Sequence, residues 1–253
     1  MPVGVSLFLP RSDNIELAQQ QSNFISAVSH ELKTPLASIR MYAEMLQSGW
    51  VKDEAKQLSY YETILQESER LSRLIQNVLY LAKLSREQVE LLHKEYSVEE
   101  LLTQVNHAVK AHLSGSGFVL ELQMPEAAEE RAAQVQVDLD AFVQLFVNLI
   151  ENAVKFSHDA VRREVHLGAR IGDSKGHEQL CFYVRDFGPG VAEKEKHKIF
   201  SLFYRGENEL TRRTPGTGIG LAIVAELARK MGAEVTVENC NPGAEFRVLF
   251  GGR

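Results

Sequence analysis

The chain has 253 residues, with 28 Lys plus Arg against 34 Asp plus Glu, a formal charge of −6. That acidic balance argues against a general nucleic-acid binder, and 17 Gly with 7 Pro exclude a low-complexity chain. The two cysteines, Cys181 and Cys240, cannot build a disulfide framework and point to a reducing compartment.

No apolar run approaches the roughly 20 residues that span a bilayer. The segment from Val3 to Leu9 is too short, and lacks the basic flank, to be a signal peptide. It reads as part of a linker, so residues 1–20 are expected to be a linker remnant. From Asn14 to Gln47 there is no Gly and a single Pro, and Phe24, Val28, Leu32, Leu36, Ile39, Ala43 and Leu46 recur in steps of three and four. This is one face of a helix, and Ser48-Gly49 marks its stop. A second helix is predicted from Glu54 to Leu84. It carries one row of Leu58, Tyr61, Leu65, Ile75, Leu79 and Ala82, and another of Ile64, Leu71, Leu74, Val78 and Leu81. A single hairpin cannot cover both rows, and each exposed Leu forgoes about 1.5–3 kcal/mol. Two hairpins pairing into a four-helix bundle, a homodimer, would cover both. Trp50, near the turn, is expected to anchor packing. After about Glu87 short strand patterns appear at Phe118 to Leu122, Val135 to Val137, Glu164 to Ile171, Gln179 to Arg185, Glu234 to Glu238 and Glu245 to Phe250. Helical patterns intervene at Val98 to Leu113, Leu139 to Phe156 and Gly218 to Met231, which predicts an α/β domain. The polar stretch from Glu193 to Pro215 reads as a long functional loop.

Four segments carry residues suited to chemistry. In Ser29-His30-Glu31-Leu32-Lys33-Thr34-Pro35, Pro35 sits inside a helix at a cost of about 3 kcal/mol and withholds an amide from the carbonyl of Glu31. A broken local rule beside a His and a Glu suggests a functional site. Neither His30 nor Glu31 falls on the main apolar row, so His30 should be exposed and able to act as a nucleophile, with a carboxylate to orient it and accept a proton. Thr34 lies one turn on. The plain alternative is a solvated helix face. Asn148 and Asn152 share a helix face despite the poor helix propensity of Asn. Their amide oxygens suit Mg²⁺ that also binds phosphate, and Lys155 can add positive charge; solvated amides are the plain alternative. Val184-Arg185-Asp186-Phe187-Gly188-Pro189-Gly190 ends a strand in an Asp and two glycines. That suits a hydrogen bond from an exocyclic amine and close approach of a ring, or an ordinary turn. Gly216-Thr217-Gly218-Ile219-Gly220-Leu221 opens a helix and can cradle phosphate. It imitates a dinucleotide fingerprint, but Asn208 to Pro215 supplies no preceding strand.

Taken in order, these blocks resemble a sensor histidine kinase of two-component signalling, over roughly Ser22 to Phe250. Ser29 to Pro35 is similar to the H box, Asn148 to Phe156 to the N box and Asp186 to Gly190 to the G1 box. Phe200-Ser201-Leu202-Phe203-Tyr204-Arg205 is similar to the F box and Gly216 to Gly220 to the G2 box. The resemblance implies an α+β chain. A helical hairpin forming a dimeric four-helix bundle over 21–88 would precede an α/β sandwich of the gyrase/Hsp90/histidine-kinase/MutL type over 89–253. It implies ATP and Mg²⁺. His30 would accept the γ-phosphoryl group, Glu31 would act as base and Thr34 would position water for a phosphatase reaction. Asn152 would ligate the metal. Asn148 stands where relatives that hydrolyse ATP carry a catalytic Glu, and its amide cannot activate a water. Lys155 would neutralise phosphate charge, Asp186 would bind the adenine amine, and Gly188 and Gly190 would admit the ring. Phe200, Phe203, Tyr204, Arg205, Gly216, Thr217, Gly218, Ile219, Gly220 and Leu221 would complete the nucleotide site. The implied partners are a second copy and a response-regulator receiver domain, with no nucleic acid. The implied location is a cytoplasmic core, anchored in the inner membrane only through segments outside this chain. The family often reads Gly-Gly-Thr-Gly in the G2 box, where this chain has Pro215 in the first place. Arg205, Arg212 and Arg213 lie near or in that loop, as phosphate contacts or as solvated charges. The competing readings are a dimeric pseudokinase scaffold that has lost catalysis and an ATPase of the mismatch-repair or chaperone type; His30 in an upstream hairpin speaks against the latter.

Overall fold

A computed structural model describes residues 12–85, 90–113, 116–174, 177–202, 204 and 218–251. Phe203, Arg205, Arg212, Arg213, Gly216 and Thr217, expected near the nucleotide, lie outside the described residues. The chain forms two compact units that divide between Gln76 and Asn77.

Helix α1 (Ser12–Gln47) and helix α2 (Glu54–Ser85) form a hairpin that makes up the first unit as far as Gln76, the last turns of α2 belonging to the second. Gly49 closes α1 with φ 67°, and its amide donates to Leu46 O at 3.2 Å. Asp53 caps α2, its Oδ1 accepting from Ala55 N at 2.9 Å and Lys56 N at 3.3 Å. The Tyr42 and Tyr60 rings meet across the helices, 4.7 Å between centroids. The two apolar rows of α2 separate as predicted. Ile64, Leu71, Leu74 and Val78 are half-buried and Leu81 is buried, while Leu58, Tyr61, Leu65, Ile75, Leu79 and Ala82 are exposed, Leu65 by 61%. Two expectations fail. Trp50 anchors nothing among the described residues; it is 82% exposed, because the turn leaves no surface over it. The packed face of α1 is also rotated from the predicted row. Leu36 and Ala43 are exposed, while Glu31 and Pro35 join Val28, Leu32, Ile39 and Leu46 on the covered side. A polar residue adjoining the apolar stripe is drawn into the seam when it finds a partner there.

The second unit begins its sheet structure with β1 (Lys94–Ser97), which pairs antiparallel with β3 (Gln134–Val137). Helix α3 (Val98–Leu113) starts at a capping box. Ser97 Oγ accepts from Glu100 N at 3.2 Å, and Ser97 N donates to Glu100 Oε2 at 2.8 Å. Strand β2 (Val119–Gln123) and the short α4 (Ala128–Ala132) follow. Helix α5 (Leu139–Phe156) is capped by Asp138, whose Oδ1 accepts from Ala141 N at 2.9 Å. Then come β4 (Glu164–Ser174), β5 (His177–Arg185), helix α6 (Gly220–Lys230), β6 (Glu234–Asn239) and β7 (Ala244–Phe250). The five-stranded sheet runs β2-β4-β5-β7-β6, with β2 parallel to β4 and the other neighbours antiparallel. Phe142, Phe146, Leu149 and Ile150 of α5 and Ile223 of α6 are wholly or almost wholly buried. Phe142 meets Phe182 edge-on at 5.0 Å. This core fixes α5 and α6 against each other, so that residues at the start of α6 reach the polar row of α5.

Candidate functional site

The first cluster is built on α1. His30 is exposed, as its helical position requires. Glu31, one residue on, is only 9% exposed, and its Oε2 lies 3.3 Å from Arg70 Nη2 of α2. Thr34 Oγ1 donates to His30 O at 3.2 Å, so the hydroxyl proton is used on the helix and its lone pairs face solvent. The helix continues through Pro35 without that residue's amide. An exposed imidazole, a buried and ion-paired carboxylate, and a hydroxyl that accepts outward thus lie within one turn and a half. Arg70 carries no signal in the sequence; only the pairing of the helices places it here.

The second cluster gathers around α5. Asn148 is buried, not solvated, and its Nδ2 donates to Gln144 O at 2.9 Å, which turns its oxygen outward from the helix. Asn152 is half-buried on the same face. A Cβ on Gly220 would stand 3.4 Å from Asn152 Nδ2 and 3.5 Å from Asn148 Oδ1, so the start of α6 lies directly against the two amides of α5. Among the described residues no side chain caps the N-terminus of α6, and amides at such a terminus can receive an anion. Gly218 takes φ 69° just before it. Ile219 is wholly buried and packs in the core. Leu221 is half-buried. Lys155 Nζ lies 5.0 Å over the Phe156 ring. No group of three or more His, Cys, Asp or Glu suited to a metal occurs among the described residues. A hard cation here would rest on amide oxygen and phosphate, as Mg²⁺ does.

Five residues beyond Asn152, about 7.5 Å along the helix axis, lies the other end of this cluster. Asp186 is 6% exposed. Its Oδ1 accepts from Gly188 N at 2.9 Å and Ala244 N at 3.2 Å; among the described residues Oδ2 receives no hydrogen bond. Burial pushes the Asp186 carboxyl up, opposed by the Gly188 and Ala244 amides and by the nearby Ser157 hydroxyl and Arg185 charge. Ser157, which ends α5, is fully buried, and its Oγ finds no hydrogen-bond geometry to any described residue although it lies close enough to favour the Asp186 anion. A Cβ on Gly188 would come within 2.8 Å of that oxygen, so only glycine fits. An open carboxylate oxygen, an orphaned hydroxyl and a bare backbone together suit a flat ring with an amine. Ser157 directly follows the Asn-rich segment, but nothing in the sequence points to its burial.

Asn239, at the end of β6, was also hidden in the sequence. Its Oδ1 accepts from Val191 N at 2.8 Å and its Nδ2 donates to Val191 O at 2.7 Å, clamping the loop after Gly190. Gly190 takes φ 77° beneath it. Two hydrogen bonds of about 1 kcal/mol each hold this loop, so Asn239→Ala should weaken nucleotide binding roughly tenfold in calorimetric titration with a non-hydrolysable ATP analogue. Unchanged affinity would show that the clamp does not shape the site. Phe200 packs edge-on against Phe246 at 6.3 Å, and Tyr204 Oη donates to buried Glu195 at 3.3 Å; both tie the loop down.

Residues 20–87 match the His Kinase A (phospho-acceptor) domain, and residues 137–251 match the histidine kinase-, DNA gyrase B-, and HSP90-like ATPase. The chain is similar to Sensor protein kinase WalK of Staphylococcus haemolyticus, 29% identical over 212 residues that make up 84% of this chain and 33% of that protein. It thus spans about a third of the length of the curated relatives it matches. Among solved structures it is similar to full-length ShkA in complex with AMPPNP, with TM-score 0.57, 29% identity, and 88% of this chain and 44% of that one covered. It shares the fold of histidine kinase ThkA, solved in complex with response regulator protein TrrA, with TM-score 0.64, 21% identity, and 93% and 63% covered. With a phospho-acceptor hairpin followed by an ATPase-type sheet domain, the chain belongs to the sensor histidine kinases of two-component signalling.

Proposed function

We propose that the chain is the catalytic core of an ATP-dependent protein-histidine kinase that phosphorylates His30 and passes the phosphoryl group to an Asp of a response regulator. The observation that carries this reading is His30 on the exposed side of α1, followed at the next residue by a buried, ion-paired carboxylate; the imidazole serves as the nucleophile and the carboxylate as its proton acceptor. One imidazole nitrogen attacks the γ-phosphorus as the bond to the ADP oxygen breaks, and Glu31 takes the proton from the other ring nitrogen. Asp186 Oδ2 accepts from the adenine amine, the α6 amides hold phosphate oxygens and Lys155 offsets their charge. Mg²⁺, held by the amide oxygen of Asn152, would neutralise charge developing on the phosphates. The AMPPNP complex of ShkA supports an adenine nucleotide. Asn148 in place of a carboxylate disfavours activation of water, and so favours transfer over hydrolysis.

Residues 1–20 act as a linker, 21–88 as the dimerisation and phosphotransfer domain and 89–253 as the ATP-binding domain. The exposed row Leu58, Tyr61, Leu65, Ile75 and Leu79 supports a homodimer, since burying each returns about 1.5–3 kcal/mol. No described helix is long and apolar enough to cross a membrane. Kinship with the sensor kinases supports a catalytic core that works in the cytoplasm. Incubation with γ-labelled ATP and Mg²⁺ tests the reading: it requires protein-bound label that survives base and is lost in acid. Steady ADP release without label would point to an ATPase instead, and nucleotide binding with neither to a scaffold.

The chain is also a phosphatase for its phosphorylated regulator. Thr34 supports this, because its outward lone pairs can accept from a water and aim it. Thr34→Ala should abolish dephosphorylation of the regulator, measured by phosphate release, while autophosphorylation persists; retained phosphatase activity would exclude the role.

A further inference from the structure

The ion pair behind His30 has a further consequence. The Glu31 side chain is 10% exposed in the seam between α1 and α2, with Arg70 Nη2 at 3.3 Å. One turn earlier on α2, Glu67 Oε2 lies 3.5 Å from Arg70 Nη1. The guanidinium is therefore held from its own helix by Glu67 and turned across the seam onto Glu31. A carboxylate in that position needs a countercharge; without one it would swing to solvent or lose its charge. Adjacent helical residues diverge by about 100°, so the direction of the Glu31 carboxylate decides whether it reaches the imidazole. The planar fork of Arg fixes that direction better than a mobile ammonium would.

We propose that Arg70 is a positioning residue for autophosphorylation, holding the Glu31 carboxylate where it takes the proton from His30. This rests on Glu31 being the base. The test uses the whole chain, with rates of phosphohistidine formation at saturating ATP and KM for ATP. Arg70→Met should lower the rate about tenfold and leave KM within about twofold, since no nucleotide contact is lost. Arg70→Lys should recover only part of the loss, since it restores the charge but not the fork that sets the direction. Added to Glu31→Gln, Arg70→Met should slow the reaction no further, because the two act through one group. Glu67→Gln, a nearly isosteric change that leaves both Glu31 and Arg70 in place, should give a smaller loss of the same kind and carries the test should Arg70→Met not fold. A normal rate in Arg70→Met or Glu67→Gln while Glu31→Gln is slow would overturn the role of Arg70 and leave Glu31 as base. Additive losses in the double variant would also overturn it. A normal rate in Glu31→Gln would remove the base itself, and the proposal with it.

Discussion

His30→Gln abolishes acid-labile labelling of the chain and leaves nucleotide affinity unchanged: that is the largest effect expected of any single substitution. Gln keeps the length and polarity of an exposed helical side chain, so the fold loses little; surface changes are usually within ±0.5 kcal/mol. What disappears is the ring nitrogen that bonds phosphorus, and no neighbour replaces it. Ser29 and Thr34 offer hydroxyls, but the Thr34 proton is engaged with His30 O, and an alcohol is a weak nucleophile without a base aligned to it. Residual acid-labile label in this variant would place the acceptor elsewhere.

The second large effect falls on the nucleotide. Asp186→Asn should reduce affinity for ATP roughly 100-fold, or about 2.7 kcal/mol, without unfolding the domain. The amide oxygen of Asn can still accept from Gly188 N and Ala244 N, which both bond Oδ1. Its NH₂ group replaces the open Oδ2 and presents a donor to the adenine amine, a mismatch of the kind that costs a buried polar contact most. Titration with a fluorescent or non-hydrolysable analogue reads this directly, and affinity within a few-fold of the natural chain would exclude Asp186 from the ring site. The same carboxylate sets a pH dependence. Burial raises its pKa, so it takes up a proton at higher pH than a solvated Asp, and binding weakens as pH falls through that value. For folding the sign is opposite. The folded state prefers the protonated form, so this group's contribution is present below its unfolded pKa and is lost as pH rises through the folded one.

Helix boundaries were the most legible part of the sequence. Gly49 and Asp53 mark the hairpin turn chemically, and the two rows of α2 have the separation in exposure that their spacing implies. Strand β1 and helix α4 were invisible. Four residues, Lys94–Ser97, carry no alternation, and their strand exists only because β3 pairs with them. The hairpin of β4 and β5 runs beyond its apolar stretch because the ladder continues through polar pairs such as Gly172 with Gln179. At the site, motif residues were readable because each has a distinctive local chemistry. Ser157, Asn239 and Arg70 were not, since a hydroxyl after a helix, an amide at a strand end and a cation on a polar helix look ordinary until tertiary packing supplies Asp186, Val191 and Glu31. The burial of Glu31 belongs with them: helical periodicity alone put it outside the apolar row, and the partner on α2 drew it in.

The central claim is that the phosphoryl group of ATP comes to rest on one imidazole. Peptide mapping by mass spectrometry of the chain after incubation with ATP and Mg²⁺, kept alkaline throughout, tests it most directly. A single phosphoryl group on the His30 ring, removed by brief acid treatment, is the predicted result. Phosphate on Ser29, Thr34 or any other residue, or ADP formation with an unmodified chain, would contradict it.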